Sequence, residues 1–102
     1  MRQFDAYLNP SPESRKVAPF LVVLSSHHLR DLEEVVVAPA VNDAERQVGG
    51  LEIGVEVQGQ RLVLVVSELF SITASRLRSR AENLAPYEDA IRRALDRLFT
   101  GF

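Results

Sequence analysis

The chain has 102 residues and a formal net charge of −2, enough for one domain spanning residues 1–102 around a single core. Its pI near 5.6 gives no field that draws in nucleic acid, and no charged tail does so locally, so direct nucleic-acid binding by the protein alone is not expected. The absence of cysteine excludes disulfides, thiolate catalysis and zinc ribbons together. The opening "MRQFDAYLNP" has an acid and a proline where a signal peptide needs an apolar stretch, and the longest apolar run, residues 17–24, is too short to cross a bilayer. A cytoplasmic protein without membrane contact is therefore expected.

"RQFDAYL" reads as an opening strand, closed by the turn-forming run "NPSPES". "VAPFLVVLSS" is too continuously apolar for a strand with one wet face, so it should be buried on both sides. After "HHLRDLEE", the β-branched pattern resumes in "VVVAPAV", where Pro39 restricts the segment to a strand end or an edge. The polar "NDAERQVGG" leads into "LEIGVEVQGQRLVLVV", whose alternating residues flank a "QGQ" turn. Leu51, Ile53, Val55 and Val57, then Leu62, Leu64 and Val66, predict an antiparallel hairpin with one buried face. "SITASRLRSR" reads as a further short strand.

"NLAPYEDAIRRALDRLF" predicts a helix. Tyr87, Ile91, Ala94, Leu95 and Leu98 form one apolar stripe at helical spacing. Pro86 suits the first helical position, and Glu88 and Asp89 place negative charge in the first turn. Glu88 with Arg92 and Asp89 with Arg93 are spaced as i, i+4 acid-before-base pairs. The chain is thus expected to be mostly β, a small antiparallel barrel or sheet with one long C-terminal helix packed on it.

Few residues suggest chemistry. His27 and His28 are the only histidines; neighbours on a strand point to opposite faces, and no spaced Cys or carboxylate accompanies them, so they read as loop residues and no metal or cofactor is expected. Gly49-Gly50 lacks the Lys-Ser/Thr that a phosphate loop needs. Arg76, Arg78 and Arg80 alternate with Ser75, Leu77 and Ser79 and would form a basic stripe on a strand, either a contact for phosphate or an acidic partner or a charged, blunted edge. Gly101 follows the last helical turn as a left-handed cap would, with Phe102 folding back on Ala94 or Leu95. A chain that is 46% hydrophobic also holds more apolar surface than one small barrel hides, which favours a C2 homodimer.

Taken in order and spacing, "RQFDAY", "ESR", a buried strand ending in "SS", "VVVAPAV", "LEIGVEVQGQRLVLVVSELFSI" and "NLAPYEDAIRRALDRLFTGF" resemble the CcdB family of plasmid and chromosomal toxins over essentially the full chain. The resemblance implies an SH3-like barrel, related to the MazF ribonucleases, that dimerises and carries a C-terminal helix. It implies a toxin that is not an enzyme, binds the DNA gyrase A subunit, traps that topoisomerase on cleaved DNA and is neutralised by a CcdA-like antitoxin from the same operon. The gyrase-poisoning element of the family, its last three residues, typically Trp-Gly-Ile, falls on Thr100, Gly101 and Phe102. Gly101 is retained and Phe102 is apolar, but Thr100 stands where the family has tryptophan, and truncating such an anchor costs ~2–4 kcal/mol, ten-fold to several hundred-fold in affinity. Arg93 and Asp96 are charged where the family has Asn, and its apolar pair falls near His27, His28 and Leu29, which adds His28 to the same surface. Two alternatives follow: a CcdB-like homologue with lost or altered gyrase activity that persists as a binding or autorepression partner, and a MazF-like endoribonuclease supported by Arg76, Arg78 and Arg80 with His27 and His28.

Overall fold

The computed structural model describes residues 1–26, 33–43 and 50–101. Seven strands, β1 (Asp5–Leu8), β2 (Phe20–Val23), β3 (Glu34–Val41), β4 (Glu52–Val57), β5 (Gln60–Val65), β6 (Phe70–Thr73) and β7 (Arg80–Asn83), precede one α-helix, α1 (Glu88–Thr100). Every pairing is antiparallel, and the strand order is β4-β5-β3-β2-β1-β7 with β6 added alongside β3. The sheet curls into a half-barrel whose outermost strands, β4 and β7, do not pair with each other.

All four residues of β2 are buried, as its unbroken apolar run demands. The two faces enter different cores. Phe20 and Val22 join Ala6, Ala38, Ala40, Leu62, Leu64 and Leu84 beneath α1, while Leu21 and Val23 join Tyr7, Val35, Val37, Ile72 and Leu77. The second core exists because β6 pairs alongside the first half of β3 and the turn after it delivers Leu77.

Pro39 lies inside β3, opposite Leu21 of β2, and not at a strand end or an edge. The other side of β3 explains it. Residues 34–37 pair with β6, and pairing with β5 begins at Ala40. Pro39 occupies the changeover between those neighbours, where its missing N–H removes no ladder bond.

The hairpin forms as the alternation predicts, with Val57 opposite Gln60. Gln58 (φ 50°) and Gly59 (φ 80°) make the two-residue turn, both in the left-handed region that suits the twist of a hairpin. Strand β5 departs from a one-faced reading: Val63 and Val65 are buried as well, in a satellite cluster with Val41 and Ala18.

The "SITASRLRSR" segment is not one strand. It holds β6, a 3-10 turn at Ala74–Arg76 and the start of β7. The turn is closed by the Leu77 N–H donating to the Ala74 carbonyl at 3.0 Å, and burial of Leu77 in the second core fixes the reversal. The expected stripe of Arg76, Arg78 and Arg80 on one strand is therefore broken, since only Arg80 lies in β7. Pro86 is likewise shifted: it sits in a 3-10 turn, Ala85–Tyr87, ahead of α1. Among the described residues no helix is long and apolar enough to cross a membrane.

Candidate functional site

The exposed side of α1 is where the residues singled out from the sequence come together. Burial of Ile91 and Ala94, with Tyr87, Leu95 and Leu98 packed against the main core, fixes the rotation of the helix. That rotation leaves Arg93, Asp96 and Thr100 exposed, and their spacing of three and four residues puts them on one face. Arg92 is held aside: its Nε donates to Glu88 at 2.8 Å, and its guanidinium lies 5.6 Å from the centroid of the buried Phe4 ring.

Gly101 ends the helix at φ 81°, ψ 10°, with its N–H donating to the Arg97 carbonyl at 3.0 Å. A Cβ there would meet nothing within 4 Å, so the left-handed backbone, and not crowding, calls for glycine. The Thr100 hydroxyl donates to the Asp96 carbonyl one turn back, which turns its polar group into the helix. The Arg97 side chain lies against Gly50, where a Cβ would collide with its Nη1. His28 and Phe102 lie outside the described residues, as do His27 and Leu29.

Phe99, outside the apolar stripe of the helix, is 71% exposed in the final helical turn. The signal was in the spacing: the buried stripe ends on Leu98, and the next residue faces away from it. An aromatic ring held out beside Asp96 and Thr100 turns this end from a purely polar surface into an amphipathic one.

The CcdB protein family matches residues 3–101. The chain belongs to the CcdB family. No curated protein matches it by sequence. Its fold is similar to a crystal structure of an Mtb toxin (TM-score 0.70, 22% identity, covering 78% of this chain and 91% of that one). It is similar too to the Mycobacterium tuberculosis toxin MazF-mt6 (0.69, 22% identity, 82% and 93%). A third likeness is to an endoribonuclease in complex with its cognate antitoxin from a mycobacterial species (0.74, 10% identity, 96% and 93%). At these identities the likeness is one of fold, and it places this CcdB-family chain on the barrel shared with such toxins.

The other charged cluster is structural. Asp5, 1% exposed, accepts hydrogen bonds from the Arg2 N–H (2.8 Å), Arg80 Nε (3.0 Å) and Asn83 Nδ2 (3.0 Å). Burial pushes its carboxyl pKa up, but these three donors and the Arg80 charge outweigh that and hold it below the usual carboxylate value. Burial, then the Asp5 charge, raises the Tyr7 phenol, against an opposing pull from Arg80. Arg80 is thereby paired with a buried carboxylate while its side chain stays half exposed.

Proposed function

We propose that this CcdB-family protein is the toxin of a type II toxin–antitoxin pair, that it acts as a homodimer by binding and not by catalysis, and that its target is the DNA gyrase A subunit. The surface is the end of α1: Arg93, Asp96, Phe99, Thr100 and Gly101, with Phe102 following. The observation that carries the reading is the exposure of Phe99 beside a left-handed Gly101, a helix end whose last aromatic is not used by the protein's own core. An antitoxin partner is supported by the fold neighbour found with its cognate antitoxin, and the partner expected here is CcdA-like.

Growth arrest on expression without antitoxin, with gyrase–cleaved DNA complexes in the cells, tests the proposal. Removing Gly101 and Phe102 should relieve the arrest; arrest that persists in the truncated protein sinks the mechanism.

Thr100 favours a second reading, in which the fold and the antitoxin are retained and gyrase is no longer the target. Its hydroxyl is spent on the Asp96 carbonyl, leaving only a methyl group to present where the family carries an indole. Calorimetry with the gyrase A breakage domain and with the antitoxin separates the two: binding to the antitoxin alone supports this alternative. An endoribonuclease, suggested by the function of one fold neighbour, predicts specific cuts in long RNA.

A further inference from the structure

The breaking of the predicted arginine stripe creates a different basic cluster. Arg76 and Arg78, released from strand geometry by the 3-10 turn, line a concavity of about 410 Å³ with Arg15, Ser75, Ser79, Leu8 and Pro10. Arg15 comes from the loop between β1 and β2, sixty-one positions before Arg76 in the chain (76 − 15), so no local pattern announces the meeting.

Two of these arginines are held by backbone carbonyls. Arg15 is half-buried and its Nε donates to the Asn9 carbonyl at 2.9 Å. Asn9 is itself buried, with its side-chain amide donating to the Ala18 carbonyl (2.9 Å) and its Oδ1 accepting from the Ser11 N–H (3.0 Å). Arg78 Nε reaches the Ser75 carbonyl at 3.4 Å. Neutral carbonyls thus orient two guanidiniums without cancelling their charge, and their terminal nitrogens keep their donors. No carboxylate lines the concavity, and Asp5 and Glu88 pair with Arg80 and Arg92 elsewhere.

We propose that this concavity binds the phosphodiester backbone of single-stranded nucleic acid. An isolated carboxylate offers two acceptor oxygens, whereas three guanidiniums, two of them with only the Nε–H engaged, and two serines line this concavity. A polyanion that brings successive phosphates satisfies more of those donors than a single acidic side chain does, and guanidinium geometry matches phosphate. The apolar walls of Leu8 and Pro10 can take a sugar face, and no aromatic platform among the lining residues reads the bases. Recognition is therefore by backbone and independent of sequence. A net charge of −2 opposes the encounter, so binding depends on this local cluster and is strong only at low salt.

The experiment is fluorescence anisotropy of the full chain with short labelled single-stranded RNA and DNA across a salt series. Both probes are expected to bind, with Arg76→Ala weakening each about three- to ten-fold and flattening the salt slope by roughly one phosphate's worth. Arg76 is exposed in the 3-10 turn, so its truncation is expected to remove charge with little effect on the fold. Arg15→Gln should weaken binding in the same way. Arg61→Ala, an equal loss of charge on the β4–β5 hairpin, should leave binding unchanged, and Arg76→Ala should leave binding to gyrase A unchanged. No binding at low salt, equal losses for Arg61→Ala and Arg76→Ala, binding of RNA alone, or tighter binding of a glutamate-rich peptide of matched charge would each overturn the proposal.

Discussion

The Tyr87 hydroxyl accepts a hydrogen bond from the Glu56 backbone N–H at 3.1 Å, across the open side of the half-barrel between β4 and β7. Glu82 of β7 does the same for the Gln58 N–H in the hairpin turn. Strands β4 and β7 do not pair, so two side chains bridge a seam that in a closed barrel would carry a ladder. Tyr87→Phe keeps the ring against the core and removes only the bridge. It is expected to cost about 1 kcal/mol in urea unfolding and to speed hydrogen exchange at the Glu56 amide, while Glu82→Ala should speed exchange at Gln58.

Asp5 ties the start of the chain to β7. Its folded pKa lies below the usual carboxylate value, so its contribution to stability is fully present above the unfolded pKa and is lost as pH falls through that value toward the folded one. Asp5→Asn should lower stability at neutral pH by about 1–3 kcal/mol, because a buried amide nitrogen then replaces one of the two oxygens that accept from Arg2, Arg80 and Asn83. It should also flatten the acid limb of the stability–pH curve. A variant whose curve parallels the parent's below pH ~4 would show that Asp5 does not set that limb.

Much of this architecture is written locally. The Leu62, Leu64, Val55 and Val57 alternation and the Tyr87 to Leu98 stripe determine the hairpin and the helix, because each element's period is its own. What was not legible depends on neighbours distant in sequence. Pro39 is tolerated inside β3 only because β6 and β5 share that strand's other side, and the arginine stripe is broken by a turn fixed where Leu77 meets a core built from β1, β2, β3 and β6, with Arg80 then paired to Asp5 on the adjacent strand. At the candidate site, Arg93, Asp96 and Thr100 share a face by helical spacing alone. The exposure of Phe99 was implied by the same spacing but becomes evident only once the packed side of α1 is fixed.

Gly101 has a backbone role that can be separated from any contact role. Gly101→Asn, which tolerates the left-handed region, should stay within a few tenths of a kcal/mol of the parent, and Gly101→Ala should lose about 1 kcal/mol. If the residue matters only as a cap, toxicity should follow stability through this pair. The proposed gyrase contact instead predicts that both substitutions weaken binding to gyrase A, Gly101→Asn included, because a side chain then occupies space left open beside the helix end.

Phe99 and Thr100 together decide how strong the helix end is as an anchor. Phe99 is already exposed, so Phe99→Ala removes ring area from a partner and almost none from the core. It should leave the melting temperature within a degree or two and reduce gyrase A binding by about ten-fold or more, the ordinary cost of truncating an aromatic anchor. Thr100→Trp restores the indole that the family carries and frees the Asp96 carbonyl from the threonine hydroxyl. If gyrase is the target, it should tighten binding by about ten-fold to several hundred-fold and deepen growth arrest. A protein indifferent to both changes would have a different target, and the unchanged melting temperature would show that the fold was not the reason.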